Sequence, residues 1–347
     1  MSKRSPFPIP FGWFQVGWPH EVEAGTTRPL FYFGRHLVWW RDETGVAHVQ
    51  DAFCPHLGAH LGHGGKVLGC EIACPFHGWR FGADGENTLI PYSERLNKSA
   101  TLRTYPVVER NGLTMVWYHP EGGEPQWEVP EIPEFNDPES FSEMTTRIYS
   151  IEAPWQELAE NGVDSAHFRY VHNTEEVPIL DSYEATFPVS KMRSTTKFPT
   201  PRGVVDGRID ADQHGPGFSI VRFSGIVDTY LMGCNTPIDE TRCEMRFNFC
   251  VRKMGDDSFS SAVGDGFVSE VDRQVREDKP IWENKAHLVR PALADTDGPI
   301  GKFRKWARQF YFEELDDSAT VYVPSGSFPA EHLGQSASQK YGSAPIA

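Results

Sequence analysis

The chain has 347 residues, 39% hydrophobic and 13% aromatic, enough for one large or two ordinary packed domains and too many for a disordered or fibrous chain. Its 48 acidic residues against 33 basic ones leave a net charge of −15, a balance that repels phosphate backbones and argues against nucleic acid as a partner. No run approaches the roughly 18 apolar residues of a membrane helix, so the chain is read as soluble and unexported.

From about Phe11 to His119, β-branched and aromatic runs such as LFYFGRHLVWW, GVAHVQDAF and GLTMVWY alternate with Gly, Asp and Asn turns. They predict a compact antiparallel β domain over residues 1–120. HPEGGEPQWEVPEIPEFNDPES, dense in Pro, Glu and Gly, has no helical or strand period and predicts a connector over residues 121–141. APWQELAENGVDSAHFRYVH follows as a helix that bends or ends before its last residues. GFSIVRFSGIVDTYLMGCNTPIDETRCEMRFNFCVRK has strand composition with a turn at PIDET and predicts a curved sheet. SEVDRQVREDKPIWENKAH and GKFRKWARQFYFEEL predict two further helices, completing a second domain over residues 142–323. The Ser-, Gly- and Ala-rich tail, residues 324–347, is expected to be loose or draped on a neighbour. The fold class is α+β.

The six Cys are scattered rather than packed into a small framework, which favours a reducing, cytoplasmic compartment. Two of them sit in DAFCPHLGAHLGHGGKVLGCEIACPFHGWRF, which holds Cys54-x-His56, 17 residues, then Cys74-x-x-His77. Each arm supplies one thiolate and one imidazole. A [2Fe-2S] cluster whose one iron takes two Cys and the other two His needs this division, and its neutral imidazoles raise the potential so that it accepts and passes on an electron. A structural Cys2His2 zinc site is the alternative, although such sites usually pair like with like on each arm. His60, His63 and Cys70 do not repeat the pattern; the first two are read as solvent-facing or packing residues and Cys70 as an ordinary small hydrophobe.

An electron carrier of this kind needs only about a hundred residues, and more than two hundred follow. ENGVDSAHFRYVH contains Asp164-x-x-His167-x-x-x-x-His172. A non-haem Fe(II) that activates dioxygen takes two His and one carboxylate on one side, leaving positions open. Asp164 and His167, three apart, would share a helix face. His167 and His172, five apart, diverge by roughly 140° on a regular helix, so the helix must bend or end between them. The carboxylate must come from elsewhere, and QVREDKPIWENK offers Asp278, where Pro280 interrupts the helical pattern, with Glu277 as competitor and Asp272 as a more distant one.

At CPFHGW the sequence resembles Rieske proteins, and over essentially Pro8 to Phe312 it resembles the large subunits of Rieske non-haem iron oxygenases. That resemblance implies an N-terminal Rieske domain and a helix-grip catalytic domain with a mononuclear iron on His167, His172 and Asp278. It implies Asn161 beside the metal, and Asp164 bridging to a cluster His of the next subunit in a head-to-tail homotrimer. PFGWFQV, CPHLGA, VPEIPEF, ENGVDSAHF, REDKPIWENKAHLVRP and DGPIGKFRKWARQFY are most similar to 3-ketosteroid 9α-hydroxylase oxygenase components and cholesterol 7-desaturases. The expectation is a terminal monooxygenase that uses O2 to hydroxylate or desaturate a bulky apolar substrate such as a steroid. A GxGxxG loop or flavin site is lacking, so electrons would come from a separate NAD(P)H-dependent reductase, directly or through a ferredoxin. Phe218, Ile220, Phe223, Ile226, Tyr230 and Met232 offer apolar side chains for a cavity, most of them expected in the core. An aromatic-ring hydroxylase or O-demethylase is the alternative within the superfamily, and a Rieske electron-transfer protein the alternative outside it.

Overall fold

The aromatic runs of the first third fold as short strands between tight turns. In the computed structural model, which describes residues 6–200, 203–254, 257–313, 315 and 320–324, these are β1 (Gly12–Gly17), β2 (Thr27–Tyr32), β3 (Arg35–Arg41), β4 (Ala47–Asp51), β5 (Lys66–Leu68), β6 (Glu71–Ala73), β7 (Arg80–Gly82), β8 (Asn87–Leu89), β9 (Thr104–Tyr105), β10 (Val107–Arg110) and β11 (Leu113–Tyr118). They make three antiparallel sheets, ordered β1-β11-β10, β2-β3-β4-β9 and β5-β6-β7-β8. Phe33-Gly34 is the two-residue loop joining β2 to β3, and both residues have positive φ, 59° and 66°. That turn geometry matches the twist of the flanking strands but is strained for Phe. Stacking of Phe33 on Tyr118 at 4.4 Å and its N–H bond to the Pro237 carbonyl hold it there.

The second half contains β12 (Thr145–Ile151), α1 (Trp155–Asn161), α2 (Ala166–Tyr170), β13 (Ile179–Thr186), β14 (Val189–Thr200), β15 (Gly203–His214), β16 (Ser219–Ser224), β17 (Thr229–Pro237), β18 (Cys243–Val251), α3 (Asp257–Asn284), β19 (His287–Leu288), α4 (Ile300–Ala307) and β20 (Val321–Tyr322). Seven of the strands form one antiparallel sheet, β12-β18-β17-β16-β15-β14-β13. The expected curved sheet, β16 to β18, is therefore extended by β12 on one side and by β13, β14 and β15 on the other, which sequence patterning did not announce. One face packs on α3, with Val268 against Leu231 and Phe249. On the other face Phe218, Ile220, Tyr230 and Met232 join Trp13, Met115 and Trp117 of the N-terminal half in one buried cluster. Four of the six apolar residues singled out on these strands are thus core. Strand alternation puts their neighbours, such as Val221 and Leu231, on the face toward α3.

The halves also share polar contacts. Arg246 of β18 is buried and donates to the carbonyls of Gln15 and Val16 and to the Tyr32 hydroxyl, beside its ion pair with Glu244. The chain then departs from expectation at Pro280, where α3 continues to Asn284 rather than breaking. A proline removes one backbone bond, and here the following turn re-forms around it. The Lys285 N–H reaches the Ile281 carbonyl, the Asn284 amide caps the Pro280 carbonyl at 2.8 Å, and Trp282 is buried. The tail beyond Pro324 lies outside the described residues.

Candidate metal centres and cavity

Two loops of identical backbone pattern carry the first constellation. In one, the Cys54 N–H bonds to the Ala59 carbonyl and the Gly58 N–H to the Cys54 carbonyl; in the other, the Cys74 N–H bonds to the Trp79 carbonyl and the Gly78 N–H to the Cys74 carbonyl. Gly58 and Gly78 take φ of 77° and 72°, a left-handed turn that glycine adopts without strain. CPHLGA and CPFHGW are thus one loop built twice, the first following β4 and the second joining β6 to β7. Cys54 and Cys74 are buried together. Burial, then the neighbouring Cys74 thiol, push the Cys54 thiol up to about 11, an arrangement that favours a cation in place of the protons. His56 stacks flat on Trp79 at 4.5 Å, and Trp79 donates to the Tyr92 hydroxyl at 2.7 Å, fixing that ring. The His77 ring lies 4.8 Å from His56, and its Nδ1 is buried without a hydrogen-bond partner. An orphaned imidazole nitrogen beside two buried thiols fits an iron–sulfur cluster.

Zinc fits less well. A tetrahedral ion draws its ligand atoms within about 4 Å of one another, yet among the described residues the one group of three or more converging within 4.8 Å is elsewhere in the chain. His60 accepts the Gly62 N–H and packs against Phe53 and His36, and His63 is exposed beside it. Cys70 is exposed in the β5–β6 turn, not packed as a small hydrophobe.

The converging group is His167, His172 and Asp278. The helix does end between the two histidines: α2 stops at Tyr170, and His172 lies beyond it. Asp164 differs from expectation in lying in the turn between α1 and α2, not on a helix with His167. There its Oδ1 accepts the Ala166 N–H at 3.0 Å, and its carbonyl accepts from His167 Nδ1. That bond leaves the His167 Nε2 lone pair facing Asn161, whose amide donates to it and to Asp278 Oδ2, each at 3.2 Å. His172 repeats the arrangement: Nδ1 is 3.0 Å from Glu277 Oε2, and Nε2 is 3.3 Å from Asp278 Oδ2. Both imidazoles are tied at the outer nitrogen, which turns Nε2 of His167 toward Asn161 and Nε2 of His172 toward Asp278, the side on which a metal would be held.

Burial pushes His167 down in pKa. It pulls His172 down as well, but the Asp278 and Glu277 carboxylates outweigh it and raise that group. Glu277, the competitor for the carboxylate, faces the outer side of His172 and is itself paired with Arg273, which also pairs with Glu270 at 2.6 Å. Asp272 is bonded to the Tyr149 hydroxyl and Arg276, away from the histidines. Sequence reasoning missed this orienting role for Glu277; its adjacency to Asp278 on a helix, which turns the two to different faces, was the available signal.

The three residues border a cavity of about 220 Å³ between α3 and the sheet, lined also by Leu158, Met192, Val221 and Leu231. A second chamber of about 540 Å³ adjoins it, sharing Phe168, His172, Ile209, Phe223, Val271 and Gln274, and it includes Ile226. No helix among the described residues is long and apolar enough to cross a membrane.

Comparison with known proteins gives two family matches, "Rieske [2Fe-2S] domain" over residues 12–106 and "3-Ketosteroid 9alpha-hydroxylase C-terminal domain" over residues 116–311. A probable 3-ketosteroid-9-alpha-monooxygenase oxygenase component of Rhodococcus rhodochrous is 32% identical over 325 residues, 87% of this chain and 78% of that one. A cholesterol 7-desaturase of Xenopus laevis is 31% identical over 342 residues, 90% and 74%. Among solved structures, dicamba monooxygenase bound to dicamba aligns with a TM-score of 0.62 at 20% identity, over 86% of this chain and 96% of that one. NdmA of Pseudomonas putida CBB5 with caffeine aligns at 0.65 and 21%, over 85% and 89%. At these identities the structural likeness speaks for the fold alone.

Proposed function

The chain belongs to the 3-ketosteroid 9α-hydroxylase family of Rieske oxygenases, and from that premise we propose that His167, His172 and Asp278 hold a mononuclear ferrous iron and that the substrate is a steroid or a similarly bulky apolar polycycle. It is a terminal oxygenase component, an oxidoreductase with a Rieske [2Fe-2S] cluster, and a separate reductase supplies its electrons. When bound, the cluster on Cys54, His56, Cys74 and His77 supplies single electrons and the lone iron supplies activation of dioxygen. The observation that carries the iron assignment is the convergence of two imidazoles, each held at its outer nitrogen, and a carboxylate within 4.8 Å at the edge of a cavity.

The chain's own groups then have separate tasks. Glu277, held by Arg273, orients His172; the Asp164 carbonyl orients His167; the Asn161 amide spans the inner side of the group. The apolar wall excludes water and accepts the substrate body. Asp164, with its carboxylate at the α1–α2 turn, faces a cluster histidine of a neighbouring chain in a head-to-tail homotrimer. In support, Leu57, Phe76 and Tyr92 around the cluster loops and Tyr170 at the end of α2, the helix that follows Asp164, are exposed by more than half, leaving apolar surface to be covered. We further divide the chain at residues 1–120, 121–141, 142–323 and 324–347, supported by the two family matches and by the lack of helix or named strand between β11 and β12. The electron source is an NAD(P)H-dependent reductase, acting directly or through a ferredoxin. Free Cys54, Cys70, Cys74, Cys234, Cys243 and Cys250 support a reducing, cytoplasmic setting.

Iron analysis with paramagnetic resonance tests the assignment. About three irons per chain and a reduced Rieske signal are expected; about two would reduce the protein to an electron carrier. Oxygen uptake with a surrogate reductase and a steroid panel tests the substrate, and uptake stimulated by small aromatic acids but by no steroid would overturn that part.

A further inference from the structure

The chain between α3 and α4 borders neither chamber, yet together with α4 it grips α1 at three points spaced three residues apart. At Glu157, the Lys285 ammonium and the His287 ring each come within 2.6 Å. At Glu160, the Arg304 guanidinium makes paired bonds of 2.6 and 2.8 Å, and it also donates to the Leu288 carbonyl at 2.7 Å. At Val163 the contact is backbone to backbone, against Gly298. All three α1-side residues are buried. A spacing of three puts them on one side of the helix and of the turn that continues it, where the Val163 N–H bonds to the Glu160 carbonyl. Leu158 and Asn161 border the inner cavity.

Gly298 is not one of the glycines held at positive φ, so space rather than backbone conformation keeps a side chain out. A β-carbon there would fall inside 3.0 Å of the Val163 carbonyl oxygen and 3.6 Å from the Asp164 α-carbon. These are main-chain atoms, so no rotamer change relieves the clash and either the loop or the turn must move. The loop is held: Asp297 accepts the Ala294 N–H at 2.8 Å, the Gly298 carbonyl accepts the Ile300 N–H at 2.7 Å, and Ile300 and Phe303 are buried. The turn therefore moves, and it carries the groups that matter. The Asp164 N–H bonds to the Asn161 carbonyl at 3.2 Å, and the Asp164 carbonyl accepts from His167 Nδ1.

We infer that Lys285, His287, Gly298 and Arg304 are a brace that fixes α1 and the α1–α2 turn against α3, with Gly298 and Arg304 as positioning residues for the converging group of His167, His172 and Asp278. The inference rests on the iron reading and adds residues that touch neither the group nor its cavity. His167 and Asn161 come from the α1–α2 side and Asp278 from α3. Lys285 directly follows α3, so the brace is the short connection between the two sides.

The test adds one methyl at two places in the same segment. Gly301, in α4, is exposed, and a β-carbon there meets nothing within 4 Å. Gly298→Ala and Gly301→Ala, cluster-loaded and stripped of the lone metal, are titrated anaerobically with Co(II). Gly298→Ala should bind about tenfold more weakly with shifted visible bands and an unchanged reduced-cluster signal, whereas Gly301→Ala should stay within about twofold with the parent's bands. Arg304→Lys keeps the charge but not the paired bonds, and should weaken Co(II) about threefold with bands shifted the same way. A lower Tm for Gly298→Ala with the parent's affinity and bands makes the contact only structural and overturns the inference. Where Gly298→Ala does not fold, Arg304→Lys decides alone: parental affinity and bands overturn it. A parent protein that takes no Co(II) at this group overturns the iron reading as well; a parent that binds it, matched by both variants, overturns the brace alone.

Discussion

Replacing Glu277 by Ala removes the one carboxylate that holds the outer nitrogen of His172. Glu277 Oε2 lies 3.0 Å from Nδ1, and its other oxygen is anchored by Arg273, so an oriented acceptor is lost rather than a loose one. Loss of such a partner typically lowers metal affinity about 10- to 100-fold, or roughly 1.4–2.7 kcal/mol at 1.4 kcal/mol per tenfold. The structure narrows this range. His172 is only 4% exposed and is flanked by the rings of His167 at 5.1 Å and Phe168 at 5.7 Å, so packing retains much of the ring's orientation. The expectation is therefore the lower end, about tenfold. The assay is anaerobic titration of Co(II) into cluster-loaded protein stripped of its lone metal, followed by its visible ligand-field bands. Arg273→Met, which frees Glu277 without removing it, should give a smaller loss with the same change in the bands. Affinity within about twofold of the parent protein, with unchanged bands, would refute the orienting role.

His167→Ala is expected to lower iron from about three to about two per chain while the reduced cluster signal persists; full iron retention would remove His167 from the metal. Asp164→Asn should keep all iron but slow electron delivery in rapid single-turnover reduction, and a normal rate would end the bridging assignment. Glu157 of α1 is buried against His287 and Lys285, each at 2.6 Å. Burial alone would raise its carboxyl, but these two partners hold it below the usual carboxylate range. Its stabilising contribution is thus complete above the unfolded value of about 4.3 and is lost as pH falls through the lowered folded value. Glu157→Gln should cost about 3 kcal/mol at neutral pH and lessen the loss of stability between about pH 5 and about pH 3 in urea melts.

Much of this was readable from residue spacing because metal ligands are few in kind and fixed in position. Cys54, His56, Cys74 and His77 lie in two short segments, and a repeated loop needs no tertiary information to be recognised. The requirement that the helix end between His167 and His172 also follows from helical geometry alone. Asp278 was harder: Glu277 and Asp278 are chemically alike, and only the packing of α3 against the sheet decides which carboxylate faces inward. Strands β13 to β15 escaped notice because β13 is exposed over most of its length, so neither of its faces shows the apolar alternation by which strands are read. Pro280 misled because proline usually ends a helix, whereas here Trp282 in the core and the Asn284 cap outweigh one missing bond. Around β16 and β17 the expectation that most of the apolar residues are core holds: Phe218, Ile220, Tyr230 and Met232 pack toward the N-terminal half, whereas Phe223 and Ile226 line the chambers, with Val221 and Leu231 as further lining residues that composition alone did not single out.

The shared aromatic interior beneath β1 and β17 limits what a single chain can do mechanically. Trp13 and Trp117 from one half interlock with Phe218 and Tyr230 from the other, the Phe33 and Gly34 amides are bonded to the carbonyls of Pro237 and Ile238, and the Phe11 amide to that of Phe310. Swivelling one half against the other would expose this surface and strand the Arg246 guanidinium, so the spacing between the Cys54 and Cys74 loops and the His167, His172 and Asp278 group of one chain behaves as a constant. In the homotrimer proposed above, any adjustment of the distance over which an electron passes then falls to sliding of whole protomers past each other.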